Sequence, residues 1–348
     1  MSTEDNPFDG VAAGLGAVDE QLRDTFGWYT VAKKEFRDAI RSRGLWLLSL
    51  IFVVFFILPV AGALYLGLNL NITAGDQQLG MQVLISSLYL NMVTFLLPVV
   101  AIFVGYAAIT KERTSGSLKL LLSLPHSRKD VILGKVLGRC LVVGVPLLFA
   151  YGVAALFFVA SSVTFQPELY GLFALFTFGF AIVFVSITVS ISGAFSTSMR
   201  SGIASFFAYF YLTFGWNSLA NGVGQIMANQ LGIGGSIRWH AVLILKLLNP
   251  SQAYKTLTNS MLGEGANAAR SARFSMFSQQ PPAMESICTQ VLNGAPQVQQ
   301  GLFGETVVCG GQGSLPIYYS DAAVFVAMLV WVGIAAAISY YTFNLADL

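Results

Sequence analysis

Six stretches of this chain, residues 46–67, 83–109, 140–163, 169–197, 202–220 and 322–345, contain no Asp, Glu, Lys, Arg or His. Each approaches or exceeds the ~20 residues that a helix needs to cross ~30 Å of hydrocarbon. A soluble chain of 348 residues would need charges to dress its surface, yet only 10% of this one is charged and 55% is hydrophobic, against about 25% charged in an average soluble domain. The expectation is an all-α polytopic membrane protein with six transmembrane helices. Pro59, Pro98 and Pro146 fall inside these runs, where packed neighbours can take up the carbonyls a proline leaves without a donor.

Lys and Arg set the orientation. Arg23, Lys33, Lys34, Arg37, Arg41 and Arg43 precede the first run, and the loop after it holds none. The next loop on the first side carries Lys111, Arg113, Lys119, Arg128, Lys129, Lys135 and Arg139, and Arg200 falls on that side too. Basic residues in short loops stay cytoplasmic, so both termini are expected inside a cell membrane that the chain crosses several times. Residues 220–320, rich in Gly, Gln, Asn and Ser, then face outward. Ile237–Leu248 is apolar but about 12 residues long and interrupted by His240 and Lys246, which suits an interfacial or re-entrant helix. The first 27 residues are polar, with six acids. No cleavable signal peptide is expected, and the first span serves as its own insertion signal. The divisions are a tail and interface helix (1–45), spans one to five (46–219) with a cytoplasmic segment at 110–139, an extracytoplasmic segment (220–320), and the last span (321–348).

Several function classes lack their residues. There is no GxxxxGK[ST] to cradle phosphates, no HExxH, no GxSxG and no carboxylate cluster, so no catalytic residue and no metal site are expected. Met261, Met276 and Met284 have no His or Cys spaced beside them that would make a soft-metal site. Nothing points to a nucleic-acid partner. Span interiors without ionisable groups argue against a proton- or ion-coupled secondary carrier, which buries such groups only for function. If energy drives this protein, it enters from elsewhere.

The most informative stretch is Ile109–Lys135. It reads as the end of a span, a short amphipathic helix with Leu118, Leu121 and Leu122 on one patch, a stop at Pro125, and a second helix opened by Ser127 or Arg128. In that second helix Lys135 and Arg139 share a face. Before the first span, Trp28, Ala32, Phe36 and Ile40 recur every four residues, with Lys33, Arg37 and Arg41 on a neighbouring stripe. Such a helix suits the headgroup layer, apolar side down. A basic loop that only sets topology and a plain lipid anchor are the blander readings of the two segments.

The order Glu112, Arg113, Gly116, Leu121, Leu122, Pro125, Ser127, Arg128, Gly134, Lys135 between the second and third spans resembles the signature of ABC type-2 transporter permeases. Ser117 stands where that family usually has Thr. The resemblance implies that 110–139 couples the membrane helices to a separate ABC ATPase subunit, with Glu112, Arg113, Gly116, Ser117, Leu121, Pro125, Arg128 and Lys135 in the coupling element. It also implies that Trp28, Lys33, Glu35, Phe36, Arg37 and Arg41 belong to the family's N-terminal interface helix. Leu248–Tyr254 (LNPSQAY) is similar to the same family. No cofactor would bind this chain directly; ATP and Mg would sit on the partner, and a second permease copy or paralogue would complete the path. The expected function is the permease subunit of an ATP-driven exporter. The alternatives are a secondary carrier or channel, or a permease-like subunit that anchors a complex or transmits force without transport.

Cys288 and Cys309 share the outward segment. They are either bridged, closing a ~20-residue loop worth about 3 kcal/mol, or two free thiols. The fourth run carries Ser186, Thr188, Ser190, Ser192, Ser196 and Thr197. These either line a polar path or, as is commoner, bond backbone and neighbouring helices.

Overall fold

The structure, a computed structural model, describes residues 17, 19–23, 25–65, 81–82, 84–116, 127–161, 165–262, 281–301, 304–310 and 316–345. It begins with helix α1 (Gly27–Ile40) and turns at Arg41 into α2 (Arg43–Tyr65). A π turn (Leu84–Tyr89) leads into α3 (Leu90–Gly105), and the chain then restarts as α4 (Thr110–Ser115). Two long helices follow, α5 (Arg128–Ala160) and α6 (Pro167–Ala194). Next come α7 (Ser198–Phe210), a π turn (Tyr211–Gly215), α8 (Trp216–Asn229), α9 (Gly235–Leu247) and α10 (Pro250–Met261). Helix α11 (Pro281–Gln290), strands β1 (Ala295–Gly301) and β2 (Gly304–Gly310), and α12 (Asp321–Leu345) complete the described chain.

Among the described residues, five helices are long and apolar enough to cross a membrane: Arg43–Gly62, Leu90–Ser115, Lys129–Ala160, Pro167–Ala194 and Asp321–Thr342. The chain is therefore a mostly helical, multi-pass membrane protein. The run expected at 202–220 takes a different form. It is split by the π turn, where the ring of Tyr211 lies so close over Gly215 that an added Cβ would sit 2.7 Å from it. Beyond that turn Asn217, Ser218, Asn221 and Gln225 make α8 more polar than a span in lipid.

Helix α6 is the hub. It packs against α12, α3, α5, α10 and α7, and buries Phe173, Thr177, Phe180, Phe184, Thr188 and Ser192 along its length. Helices α2 and α12 are peripheral, with large side chains such as Leu47, Leu58, Val326 and Tyr341 exposed for lipid to cover. Both ends of the described chain lie at one end of the bundle: α1 packs on the start of α5, and the Lys129 ammonium sits 5.3 Å over the ring of Tyr340 near the end of α12.

Helices α9 and α10 form a hairpin that enters the bundle instead of lying outside it. The Tyr254 hydroxyl is 2.8 Å from Thr177 Oγ1. The Trp331 indole donates to the Leu248 carbonyl at 2.6 Å. Thr177 and Trp331 each lie ten residues into their helices, about 15 Å from the end at 1.5 Å per residue. The hairpin tip thus reaches well into the apolar core. Asn249 makes this reversal: its side chain accepts from Ser251 N (2.8 Å) and Gln252 N (3.3 Å), with Pro250 at the first helical position, an arrangement that satisfies the N–H groups a helix start leaves open. Its amide also donates to the Leu212 carbonyl in the π turn.

The all-α expectation omitted one feature. β1 and β2 pair antiparallel, Pro296 opposite Cys309, and with α11 cap the end of the bundle remote from α1. Short polar strands such as APQVQQG show little apolar alternation, so the sequence carried a weak signal there.

Candidate functional site

At the end of the bundle that carries α1, three separate segments converge on one ammonium group. Lys135, in the second turn of α5, is 0% exposed; its Nζ lies 2.9 Å from Glu35 Oε1 on α1 and 2.8 Å from Glu112 Oε1 on α4. Arg139, one turn on, meets the other oxygen of Glu35 at 2.9 Å. Two cations and two carboxylates balance in a shielded cluster. Removing a charge from water costs several kcal/mol unless it is paired in good geometry, and removing one partner from such a cluster is strongly destabilising. Burial pushes the Glu35 carboxyl up, but Lys135 and Arg139 together prevail and hold it below the ordinary carboxylate value.

Close helix approach places these charges. α1 packs against α5 more extensively than any other described pair of elements. Gly134 and Gly138 make this possible: an added Cβ at Gly134 would lie 2.5 Å from Val31 Cβ and 2.7 Å from the Trp28 carbonyl, and one at Gly138 would lie 2.7 Å from Glu35 Cβ. The pair is a small-xxx-small seam of the kind that lets helix backbones touch. Ser127 fixes where α5 begins. Its hydroxyl accepts from Asp130 N at 3.2 Å while Asp130 Oδ2 accepts from Ser127 N at 3.1 Å, a reciprocal capping box. Arg128 is the first residue of the helix.

Glu112 is positioned by a break in the second span. The helix unwinds over residues 106–109, and the Ser192 hydroxyl on α6 accepts from Ile109 N (3.0 Å) and Thr110 N (3.2 Å). A hydroxyl one span away thus caps α4. Thr110 and Ser198 hydroxyls are 2.9 Å apart, and Arg113 Nη1 donates to the Phe195 carbonyl at 3.3 Å, so the α6–α7 corner clamps α4 from behind. Gly116 ends α4 with φ 74°, a left-handed value that glycine adopts without a Cβ penalty.

The predicted residues divide clearly. Glu112, Lys135 and Glu35 are brought together: the resemblance put Glu112 and Lys135 in the coupling element and Glu35 in the interface helix, and one carboxylate oxygen of Glu112 is engaged inside the chain. Arg113 is turned onto the chain's own backbone. Ser117, Leu121 and Pro125 lie outside the described residues. On α1 the expected apolar stripe is displaced. Val31 and Ala32 are buried against α5, Trp28 and Phe36 are half-buried, and Ile40 is exposed, because the glycine seam, not the lipid, takes the inner face. Lys33 pairs with Asp19, whose carboxylate also accepts from Tyr29, while Arg37 and Arg41 are exposed. Gly138 went unread, although G-K-V-L-G at 134–138 states the seam plainly. The pairing of Lys135 with Glu35, 100 residues apart, had no local signal.

The hydroxyls of α6 serve packing. Thr188 donates to the Ala101 carbonyl at 3.1 Å and Ser190 to the Ala335 carbonyl at 2.5 Å, tying α6 to α3 and α12. At the capped end the structure joins Cys288 and Cys309, with an S–S distance of 1.98 Å and both side chains buried. Cys140 is a buried free thiol. Met276 is outside the described residues, and among those residues no three His, Cys, Asp or Glu side chains group as a metal would require.

Comparison with known proteins places this architecture. Residues 29–348 match the family described as ABC-2 family transporter protein. The chain is also similar to the probable ABC transporter permease protein NosY of Stutzerimonas stutzeri, 36% identical over 131 residues, and to that of Pseudomonas aeruginosa, 34% identical over 131 residues. Each match covers 37% of this chain and 44% of the relative, so less than half the length of these curated relatives is spanned.

Proposed function

Since this chain belongs to the ABC-2 transporter family, we propose that it is the membrane permease subunit of an ATP-driven exporter, worked by a separate ABC ATPase. The supporting observation is the buried Glu35–Lys135–Glu112 bridge with Arg139. It locks the interface helix, the end of the second span and the start of the third into one block. A push on such a block moves three membrane segments together, which is what converting ATPase closure into helix tilting requires. In this reading the charged end is cytoplasmic, both termini with it. The chain crosses six times, with α7 and the π turn that continues it as the fifth crossing and the more polar α8 beyond it. ATP and Mg bind the ATPase, and a second permease copy or paralogue supplies the other half of the path.

The residues between Gly116 and Ser127 carry the docking surface, and the charge block carries the force. Lys135, fully buried, touches no partner. The test is co-purification in mild detergent of this chain with the ABC ATPase expressed beside it. Gly116→Pro should abolish docking while the bundle keeps its thermal transition, because proline cannot take the left-handed conformation in which Gly116 ends α4. Full docking and ATP turnover in that variant would remove the coupling assignment.

A further inference from the structure

At the charged end, α1, α2, α3 and α5 leave a cavity of about 820 Å³ between them. One wall is apolar: Leu47, Leu48, Ile51, Val100, Phe103 and Val104 line it. Leu47, Ile51 and Phe103 are openly exposed, Phe103 at 74%, so this wall is continuous with the lipid-facing surface of the first two spans. The opposite rim is charged, with Lys34, Asp38 and Lys111 beside the buried block. The two kinds of surface meet where α1 turns into the first span.

Charge decides the occupant. Glu35 and Glu112 are neutralised by Lys135 and Arg139. The side-chain ammonium groups of Lys34 and Lys111 make no hydrogen bond or ion pair among the described residues, and both residues are exposed. Among the described residues that line the cavity, only Asp38 opposes them at the rim, leaving a positive balance. An apolar trough open to the bilayer with two uncommitted ammonium groups at its mouth complements an anionic phospholipid, acyl chains along Leu48, Ile51 and Phe103 and phosphate between the lysines. A zwitterionic lipid would bring its own cation to a rim that needs none.

We propose that this cavity is a binding site for one anionic phospholipid, wedged between the interface helix and the first two spans. The lipid separates α1 from α2 and α3 on the side away from the glycine seam, and so sets the spacing that the charge block must hold. The site depends only on this end lying at a headgroup layer, not on ATPase coupling.

The test uses the full chain in nanodiscs of phosphatidylcholine mixed with phosphatidylglycerol, which differ in net headgroup charge. Lipids retained after extraction are counted by native mass spectrometry. Wild type should retain one phosphatidylglycerol in preference to phosphatidylcholine. Lys34→Gln with Lys111→Gln should lower that preference roughly tenfold or more, since each basic residue near an anionic surface contributes about 1 kcal/mol. Ala107→Trp, which fills the trough and leaves both lysines, should expel the bound lipid. Equal retention of the two lipids by wild type, or unchanged preference in both variants, overturns the site. ATPase co-purification, measured on the same samples, reports separately on coupling: docking lost with the lipid preference kept condemns the coupling reading alone, and docking kept by a wild type without lipid preference condemns the lipid site alone.

Discussion

The two ends of this bundle are fastened by different chemistry. At one, α1, α4 and α5 meet through a four-charge cluster around the buried Lys135, over a glycine seam. At the other, a disulfide, a hydroxyl relay and indole–carbonyl bonds hold the cap and the inserted hairpin. Tyr151 donates to Thr177 at 2.9 Å, Tyr254 lies 2.8 Å from the same oxygen, and its ring stacks on Phe180 at 4.6 Å. Trp216 adds a bond to the Leu245 carbonyl at 2.7 Å. Ion pairs can be exchanged for other ion pairs as a partner moves, whereas a covalent bond and neutral bonds buried in an apolar core hold one geometry. The contrast is the one that the coupling proposed above would need, with a charged end that can shift and a capped end that keeps its shape.

The largest expected effect breaks the charged end. Lys135→Met removes the buried ammonium that Glu112 and Glu35 share, so thermal stability in detergent should fall by about 3–5 kcal/mol. Pairing it with Glu112→Gln should recover part of that loss, because one of the two carboxylates that the ammonium balanced is then neutral. A single Lys135→Met transition unchanged from wild type would show that the cluster does not hold this end. Reduction of Cys288–Cys309 comes next, at roughly 2–4 kcal/mol for its loop. The loss should be confined to the capped end, with protease cleavage appearing first within 281–310 while α1 stays protected. Simultaneous cleavage near α1 would mean that the two ends are not independent.

Gly138→Leu should cost about 1–3 kcal/mol by overpacking and should expose α1 to proteolysis before any other helix. Tyr254→Phe is gentler, near 1 kcal/mol, since Thr177 keeps its bond from Tyr151 and its own bond to the Phe173 carbonyl at 2.8 Å. The smallest effect is acid sensitivity. The folded Glu35 carboxyl titrates below its ordinary 4.5, so the stability it contributes is present above about pH 4.5 and is lost as pH falls through the lower folded value. A melting series from pH 6 to pH 3 should show that loss in wild type and a smaller one in Glu35→Gln.

Much of the architecture was legible before any fold was known. Uncharged runs of 20 residues and more admit only a membrane-spanning reading, since a helix must satisfy its own backbone in hydrocarbon. Interface helix α1, the start of α5 near Ser127 and the short helix at 237–248 also followed from local pattern. The β-hairpin at 295–310 did not, because its strands are too polar to alternate. Neither did the true inner face of α1, since a stripe at 28, 32, 36 and 40 scores as well as the one the glycines select.

What the sequence determined by itself is membrane insertion, helix positions and family, because these rest on local hydropathy and on short ordered motifs. Tertiary structure alone decided the rest. That Lys135 answers to Glu35 across 100 residues and to Glu112 on a separate helix, that Ser192 caps a helix from another span, and that Asn249 turns a hairpin inside the bundle are pairings between distant segments. No local periodicity encodes them, and the cost of burying an unpaired polar group selects them only once the helices have packed.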